Sequence, residues 1–156
     1  MARLLILAHA PLATALKAVA VHAFPELAAR VQALDVEADA APEQIEAAAR
    51  SLLAAAAEQD EPEMLVLTDV FGATPCNIAQ RLSDGLPTGQ RVRVLAGVNV
   101  PMLWRALNYA ALPLDELLSR SMAGGAQGVL PLASTRPQNQ AFVASAHDPN
   151  QHHHQQ

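Results

Sequence analysis

The stretch "LTDVFGATPCN", residues 67–77, contains one complete strand–loop–helix unit of the fold. It begins at the end of an apolar run, turns polar at Asp69, passes Gly72 and reaches Thr74-Pro75. Threonine is favoured just before a helix, and proline is tolerated in the first helical turn because the N–H that it lacks would have no partner there. The stretch therefore predicts a buried strand that ends at a carboxylate, followed by a helix.

A second stretch, "LILAHAPLA" at residues 5–13, places His9 in the same kind of position, after a short apolar strand and before a helix. Nearly continuous apolar runs of this length are typical of strands buried on both faces. The alternation continues along the chain. Strands are predicted over 2–7, 30–36, 63–68, 91–97 and 128–133, and helices over 13–23, 42–59, about ten residues from 75, a segment from 101, and 114–123, where two glycines end the helix.

This order of elements predicts an α/β fold: an open, mostly parallel, doubly wound sheet with helices on both faces. A length of 156 residues suits one domain. We assign residues 1–133 to that domain. Residues 134–156 are polar and aperiodic, and are interpreted as a flexible tail in which three histidines, 152–154, are part of the tail rather than a metal site.

Composition excludes several classes of function. The chain has 10 basic and 15 acidic residues, a net charge of -5, and no basic stripe, so nucleic acid is not an expected partner. The single cysteine, Cys76, excludes an internal disulfide and fits the reducing cytoplasm. His9 and Pro11 interrupt the apolar N-terminal run, so neither a secretory leader nor a membrane span is expected. No cofactor or metal site is predicted.

Polar loops follow three strand ends, and they hold His9, Asp69 with Thr74, and Asn99. Parallel sheets bind ligands at the carboxyl ends of their strands, where the strand order reverses. Neutral imidazole is a nucleophile near pH 7, and a carboxylate that accepts one ring N–H leaves the other nitrogen free to react. The helix start near Pro75 offers free N–H groups to an anion. His9 and Asp69 are therefore candidate catalytic residues for phosphoryl transfer, with the Thr74 hydroxyl as an added donor.

Other interpretations of these residues stay open at this level. His9 is also compatible with an ordinary loop residue, Asp69 with a turn residue, and Asn99 with a side chain that satisfies loop backbone. Cys76 near a helix start, with His9 and Asp69, would make a Cys-His-Asp thiol hydrolase, although a small buried cysteine usually only packs. A nucleotide site is not predicted, because the first strand is followed by no glycine-rich turn and no P-loop pattern occurs.

Three motifs together resemble the EIIA component of the mannose family of the bacterial sugar phosphotransferase system. "LILAHAPLA" is similar to the family's first strand with its phosphorylated histidine, which is usually followed by glycine. "LTDVFGATPCN" is similar to D-x-(F/W)-G-G-S-P-F-N. "VLAGVNVPML", residues 94–103, is similar to V-I-x-G-V-N-(L/I)-P-M-L and is the most specific of the three. The likeness covers roughly residues 2–133.

The resemblance implies a phosphocarrier in which His9 accepts a phosphoryl group from HPr and passes it to a EIIB partner. Asp69 would orient His9. The phosphoryl oxygens would lie near Gly72, Ala73, Thr74 and Asn99. The resemblance also implies a final antiparallel strand, often exchanged in a homodimer. The protein would serve sugar uptake or act as a regulator through its phosphorylation state. The phosphocarrier subunit of dihydroxyacetone kinase shares this domain type and is the related alternative.

Three departures from the family pattern bear on the site. Ala10 follows the histidine where glycine is usual, and Ala73 replaces the second glycine of the G-G pair. An alanine at a position with positive φ would cost about 1 kcal/mol relative to glycine. Cys76 replaces phenylalanine, which indicates that this position packs and does not react.

Overall fold

The computed structural model describes residues 1–132, so the predicted tail over 134–156 lies outside the described residues. Its elements, in chain order, are β1 (Arg3–His9), α1 (Leu12–Ala23), a 3-10 helix (Pro25–Arg30), β2 (Val31–Val36), α2 (Pro42–Glu58), β3 (Glu63–Thr68), α3 (Thr74–Arg81), β4 (Arg91–Ala96), α4 (Val100–Asn108) and α5 (Leu114–Gln127). Within this part of the chain, no helix is both long and apolar enough to cross a membrane.

The four strands form one parallel sheet in the order β2-β1-β3-β4, which confirms the predicted α/β class. The chain moves from β1 outward to β2 and then returns to the other side of β1 for β3. The strand order therefore reverses between β1 and β3, and loops diverge there at the carboxyl ends of the two strands. His9 ends β1 and Asp69 follows β3 directly, so both lie at this point.

Alternate residues of the central strands face two separate apolar layers. One layer packs β1 and β3 against α1, α4 and α5, and contains Ile6, Leu67 and Leu103. The other packs the opposite face against α2 and α3, and contains Leu7 and Ile78. Side chains such as these are fully buried, and they are aliphatic because only 3% of the chain is aromatic. The two layers hold β1 and β3 rigidly beneath their polar ends.

The prediction that Gly124 and Gly125 end the last helix after residue 123 is wrong, because α5 continues to Gln127. The two glycines lie where α5 packs closely on α4. A Cβ on Gly124 would come within 2.6 Å of the Arg105 Cβ, and one on Gly125 within 2.7 Å of the Met102 side chain. Close helix packing therefore outweighs the roughly 1 kcal/mol that a glycine costs inside a helix.

The short last strand predicted over 128–133 is also absent from the part of that segment that the structure describes, 128–132. Val129, Leu130 and Leu132 are 74%, 70% and 95% exposed. In the described chain this segment pairs with none of the four strands, and Pro131 has no N–H, so any pairing would be limited to the edge of a sheet. The apolar segment that follows α5 is therefore exposed.

Candidate functional site

His9 and Asp69 form a close pair at the carboxyl edge of the sheet. The His9 Nδ1 lies 2.6 Å from the Asp69 Oδ2, and the same oxygen accepts the backbone N–H of His9 at 2.9 Å. The other oxygen, Oδ1, accepts the backbone N–H of Val70 at 2.8 Å. The carboxylate is thus held from both sides, and it orients the imidazole by two bonds to one residue.

The protonation state of Asp69 determines which ring nitrogen is free. Burial acts to raise the pKa of Asp69, but hydrogen bonds from the His9 backbone, the His9 ring and the Val70 backbone lower it, and the net pKa lies below its ordinary value. An ionised carboxylate only accepts, so Nδ1 of His9 must carry the donated proton. In the neutral ring Nε2 then has a free lone pair. The His9 side chain is 51% exposed, so a reactant can reach it.

The start of α3 combines a left-handed glycine with an uncapped helix end. Gly72 has φ of +85°, which few other residues adopt. Ala73 has φ of -83° and ψ of 168°, so replacing the family's glycine with alanine introduces no backbone strain there. No residue of Asp or Glu type lies in the first turn, and no side chain caps it. This helix end therefore keeps the positive end of its dipole open to an anion.

Thr74 is the first residue of α3 and not its N-cap, so the predicted capping role is wrong by one position. The extended conformation of Ala73 makes it the N-cap instead, and Asn77 donates its backbone N–H to the Ala73 carbonyl at 3.0 Å. Within the described residues, the backbone N–H groups of Thr74 and Cys76 have no acceptor, while Pro75 has no N–H. Two donors thus remain free at this end of the helix.

Asn99 makes its hydrogen bonds inside the α4–α5 pair. Its Oδ1 accepts the backbone N–H of Met102 at 2.9 Å, and its Nδ2 donates to the Gly125 carbonyl at 3.1 Å. Asn99 is therefore the N-cap of α4 and a link to α5. The preceding loop is tied to the site through the backbone, because Gly97 donates to the Asp69 carbonyl at 2.9 Å. These bonds support the interpretation of Asn99 as a structural residue.

Cys76 is 2% exposed, with its side chain on the inner side of α3. A buried thiol offers no access to a substrate, and the structure gives it no bond to His9 or Asp69. This geometry does not support the thiol-hydrolase interpretation. Within residues 1–132, no three His, Cys, Asp or Glu side chains converge as metal ligands would.

One pair of residues near His9 was not recognised from the sequence. Asp35, on β2, accepts both the backbone N–H and the hydroxyl of Thr14 in the first turn of α1. The sequence carried one usable signal, an acidic residue near the end of a predicted strand. The structure adds that this strand lies beside the one that ends in His9. The pairing with Thr14 depends on strand order, which the alternation of strands and helices alone does not determine.

Three apolar side chains that lie close to His9 or Asp69 in sequence are exposed at the surface. Leu12, Val70 and Phe71 are 39%, 54% and 78% exposed, and each lies within three residues of His9 or Asp69 in sequence. Two grooves lie on the described surface: one of about 310 Å³ along β4 and one of about 260 Å³ between α4 and α5. His9 lines neither of these two grooves.

Sequence and structure comparisons agree with this geometry. A profile for the EIIA-man family, described as "PTS system fructose IIA component", matches residues 3–121, which is most of the chain. The chain belongs to the EIIA-man family. It is a IIA-type component of the sugar phosphotransferase system, and its role is that of a phosphocarrier. This confirms the resemblance drawn from the three motifs.

Solved structures support the same assignment of fold. The mannose/sorbose-specific IIA subunit of the phosphotransferase system from Enterococcus faecalis is 26% identical, with a TM-score of 0.69 over 85% of this chain and 95% of that one. The phosphotransferase system component EIIA from Streptococcus agalactiae is 23% identical, with a TM-score of 0.73 over 84% of this chain and 97% of that one. A comparison with curated proteins found no match.

Proposed function

We propose that His9 carries the phosphoryl group and that Asp69 is its catalytic partner. The observation that supports this most directly is the His9–Asp69 pair, whose 2.6 Å contact at Nδ1 leaves Nε2 as the free nitrogen. The free N–H groups of Thr74 and Cys76, at the start of α3, supply donors for phosphoryl oxygens. Gly72 and Ala73 shape the loop that presents them, and the Thr74 hydroxyl adds a donor. Asn99, which the family pattern also implies at the phosphoryl group, would have to exchange one of its bonds within α4 and α5 to contact it.

The proposed step is an in-line transfer between two imidazoles. The Nε2 lone pair of His9 attacks phosphorus, the new N–P bond forms as the donor's N–P bond breaks, and the donor imidazole recovers its electron pair. The Nδ1 proton of His9 stays in its bond to Asp69 throughout. Positive charge that develops on the His9 ring is stabilised by the Asp69 carboxylate, and negative charge on the phosphoryl oxygens by the helix start.

The proposed donor is HPr and the proposed acceptor is a EIIB protein, with both encounters in the cytoplasm. The half-exposed ring of His9 and the exposed Val70 and Phe71, which follow Asp69 directly, suit a reactant the size of a protein. Apolar contacts that flank an exposed nucleophile let two proteins meet briefly and then part, which a carrier requires. Delivery to EIIB would serve sugar uptake. In a cell that has no EIIB acceptor, this protein would instead act as a regulator through its phosphorylation state.

Labelling with purified donors tests the residue and the partner together. With phosphoenolpyruvate, enzyme I and HPr, the protein should gain one phosphoryl group that is stable in alkali and lost in mild acid, as expected of a phosphoramidate. His9→Ala should abolish labelling, whereas His22→Ala, which removes an exposed histidine at the end of α1, should not. Full labelling of His9→Ala, or labelling without HPr, would contradict the proposal.

We also propose a homodimer in which residues 129–132 of each copy add an antiparallel strand to β4 of the other. β4 is an edge strand with a groove along it, and the segment 129–132 is apolar and uncovered. An unpaired strand edge and an uncovered apolar segment complement each other. Leu130→Asp should shift the mass measured by light scattering from dimer to monomer, while Val19→Asp, at an exposed position on α1, should not. A monomeric wild-type protein would refute this arrangement.

A further inference from the structure

The first turn of α1 is held by a carboxylate from a neighbouring strand. Asp35 Oδ1 accepts the backbone N–H of Thr14 at 3.2 Å, and Asp35 Oδ2 accepts the Thr14 hydroxyl. α1 itself has no side-chain cap at its start and no acidic residue in its first turn. Asp35 therefore supplies from β2 the oxygen and the negative charge that an N-cap residue supplies from the helix itself.

The sheet fixes the position of Asp35 relative to His9. β2 pairs with β1 so that Asp35 lies opposite Ala8 and Val36 opposite His9. The backbone N–H of Ala10 donates to the Val36 carbonyl at 3.1 Å. Only two residues, Ala10 and Pro11, connect His9 to α1. A displacement of the first turn of α1 would therefore also displace His9, because the connection is too short to compensate for it.

The same contact distinguishes the two helices that start near His9. The start of α1 already faces the Asp35 carboxylate, and this negative charge opposes the approach of another anion. The start of α3 has no acidic residue in its first turn and keeps two free N–H groups. Of the two, α3 is therefore the helix whose start is available to a phosphoryl group on His9.

We propose that Asp35 is a positioning residue for the His9 site. By holding the first turn of α1 through Thr14, Asp35 fixes the backbone at His9 and with it the position of the ring against Asp69. Its effect on transfer rests on the proposed function of His9, whereas its effect on the position of His9 rests on the contacts of β2 and α1. Small errors in the placement of a nucleophile lower transfer rates strongly, so the arrangement has a measurable consequence.

The first test needs no partner protein. The exchange rate of the His9 Nδ1–H proton with water, measured by NMR, reports how firmly the ring is held against Asp69. Asp35→Asn and Thr14→Val should each raise this rate about tenfold, because the ring leaves its bond more often. Thr14→Ser keeps the hydroxyl and should restore the slow exchange that Thr14→Val loses. Asp39→Asn removes one charge from an exposed position after β2 and serves as the matched control.

An unchanged exchange rate in Asp35→Asn and Thr14→Val would overturn the proposal, as would an equal rise in Asp39→Asn. The double variant Asp35→Asn/Thr14→Val should exchange no faster than the faster single variant, because both changes remove the same contact. Additive effects would overturn the proposal, because Asp35 would then not act through Thr14. Thermal melts of each variant identify any rise that comes only from unfolded protein, which would also count against the proposal.

The second test measures phosphoryl transfer from phosphorylated HPr. Asp35→Asn should lower the maximal rate about tenfold and leave the KM for the donor within about twofold, because the docking surface is unchanged. A wild-type rate in Asp35→Asn, or a fall matched by Asp39→Asn, would overturn the role in transfer. If the wild-type protein accepts no phosphoryl group, the proposed function of His9 fails, and the exchange measurement still decides whether Asp35 positions the ring.

Discussion

A partly buried carboxylate lies at each end of the parallel strands, which we call the amino edge and the carboxyl edge of the sheet. The two carboxylates have different hydrogen-bond partners. At the amino edge, Glu61 lies 2.6 Å from Arg3 and 2.7 Å from Arg30, so each of its oxygens meets a permanent cation. At the carboxyl edge, Asp69 accepts from the ring and backbone of His9 and from the Val70 backbone. The side-chain partner of Asp69 is therefore an imidazole whose Nε2 remains free.

The difference in partners assigns Glu61 a role in stability and Asp69 a role in chemistry. At both edges burial acts to raise the carboxyl pKa and hydrogen bonds lower it below its ordinary value, but the donors are two guanidinium groups for Glu61 and N–H groups of His9 and Val70 for Asp69. A guanidinium that is paired with a carboxylate has no further reaction to perform. An imidazole that is paired through Nδ1 still has a nucleophilic nitrogen. Changes at the carboxyl edge should therefore alter transfer, and changes at the amino edge should alter folding.

The largest effect is expected from Asp69→Asn. The amide removes the charge that stabilises the ring during transfer, and it no longer requires His9 to hold its proton on Nδ1. We expect transfer from phosphorylated HPr to fall by about 10²-fold or more, as when other electrostatic catalytic groups are removed. Glu61→Gln removes a carboxylate at the opposite edge and should leave the rate unchanged. A wild-type rate in Asp69→Asn would show that Asp69 is only a turn residue.

A smaller effect is expected when the start of α3 is given a carboxylate like the one that faces α1. Ala73 is the N-cap of α3 in extended conformation, so Ala73→Asp should cap the helix and stabilise the fold by about 1 kcal/mol. The same charge should repel a phosphoryl group and slow transfer about tenfold. Ala73→Asn is the matched control, because it caps the helix without adding charge and should slow transfer less.

Urea denaturation and transfer assays on the two Ala73 variants together give the answer. If both Ala73→Asp and Ala73→Asn transfer at the wild-type rate, the phosphoryl group does not lie at the start of α3. If both variants slow transfer equally, the loop conformation at Gly72 and Ala73 matters rather than the charge.

The sequence was sufficient to predict that His9 and Asp69 occupy the same edge. Each was predicted to follow a buried strand, and the carboxyl ends of parallel strands share an edge. The Thr14–Asp35 contact was not predictable in the same way, because it depends on β2 lying beside β1. The φ of Ala73 also required the structure: the motif alone left open whether alanine was strained there. At Gly124, helix packing between α4 and α5 overrode the local preference for a helix end.

The smallest effect is expected at the amino edge, and it concerns stability alone. The pKa of Glu61 is lower in the folded protein than its ordinary value of 4.5, so its ion pairs stabilise the fold fully at pH values above that ordinary pKa. That contribution is lost as the pH falls through the lower, folded pKa. Glu61→Gln should therefore reduce the free energy of unfolding by about 1 kcal/mol or less at neutral pH, since the pair is partly exposed.

The difference between Glu61→Gln and wild type should shrink as the pH falls below about 4 and vanish in stronger acid, where both side chains are neutral. Urea denaturation from pH 7 to pH 3 measures this. Glu58→Gln, at an exposed position at the end of α2, is the control and should show little difference at any pH. A gap between Glu61→Gln and wild type that persists unchanged into acid would mean that Glu61 stabilises the fold by packing rather than by charge. The amino edge would then not be the ionic counterpart of the His9–Asp69 edge.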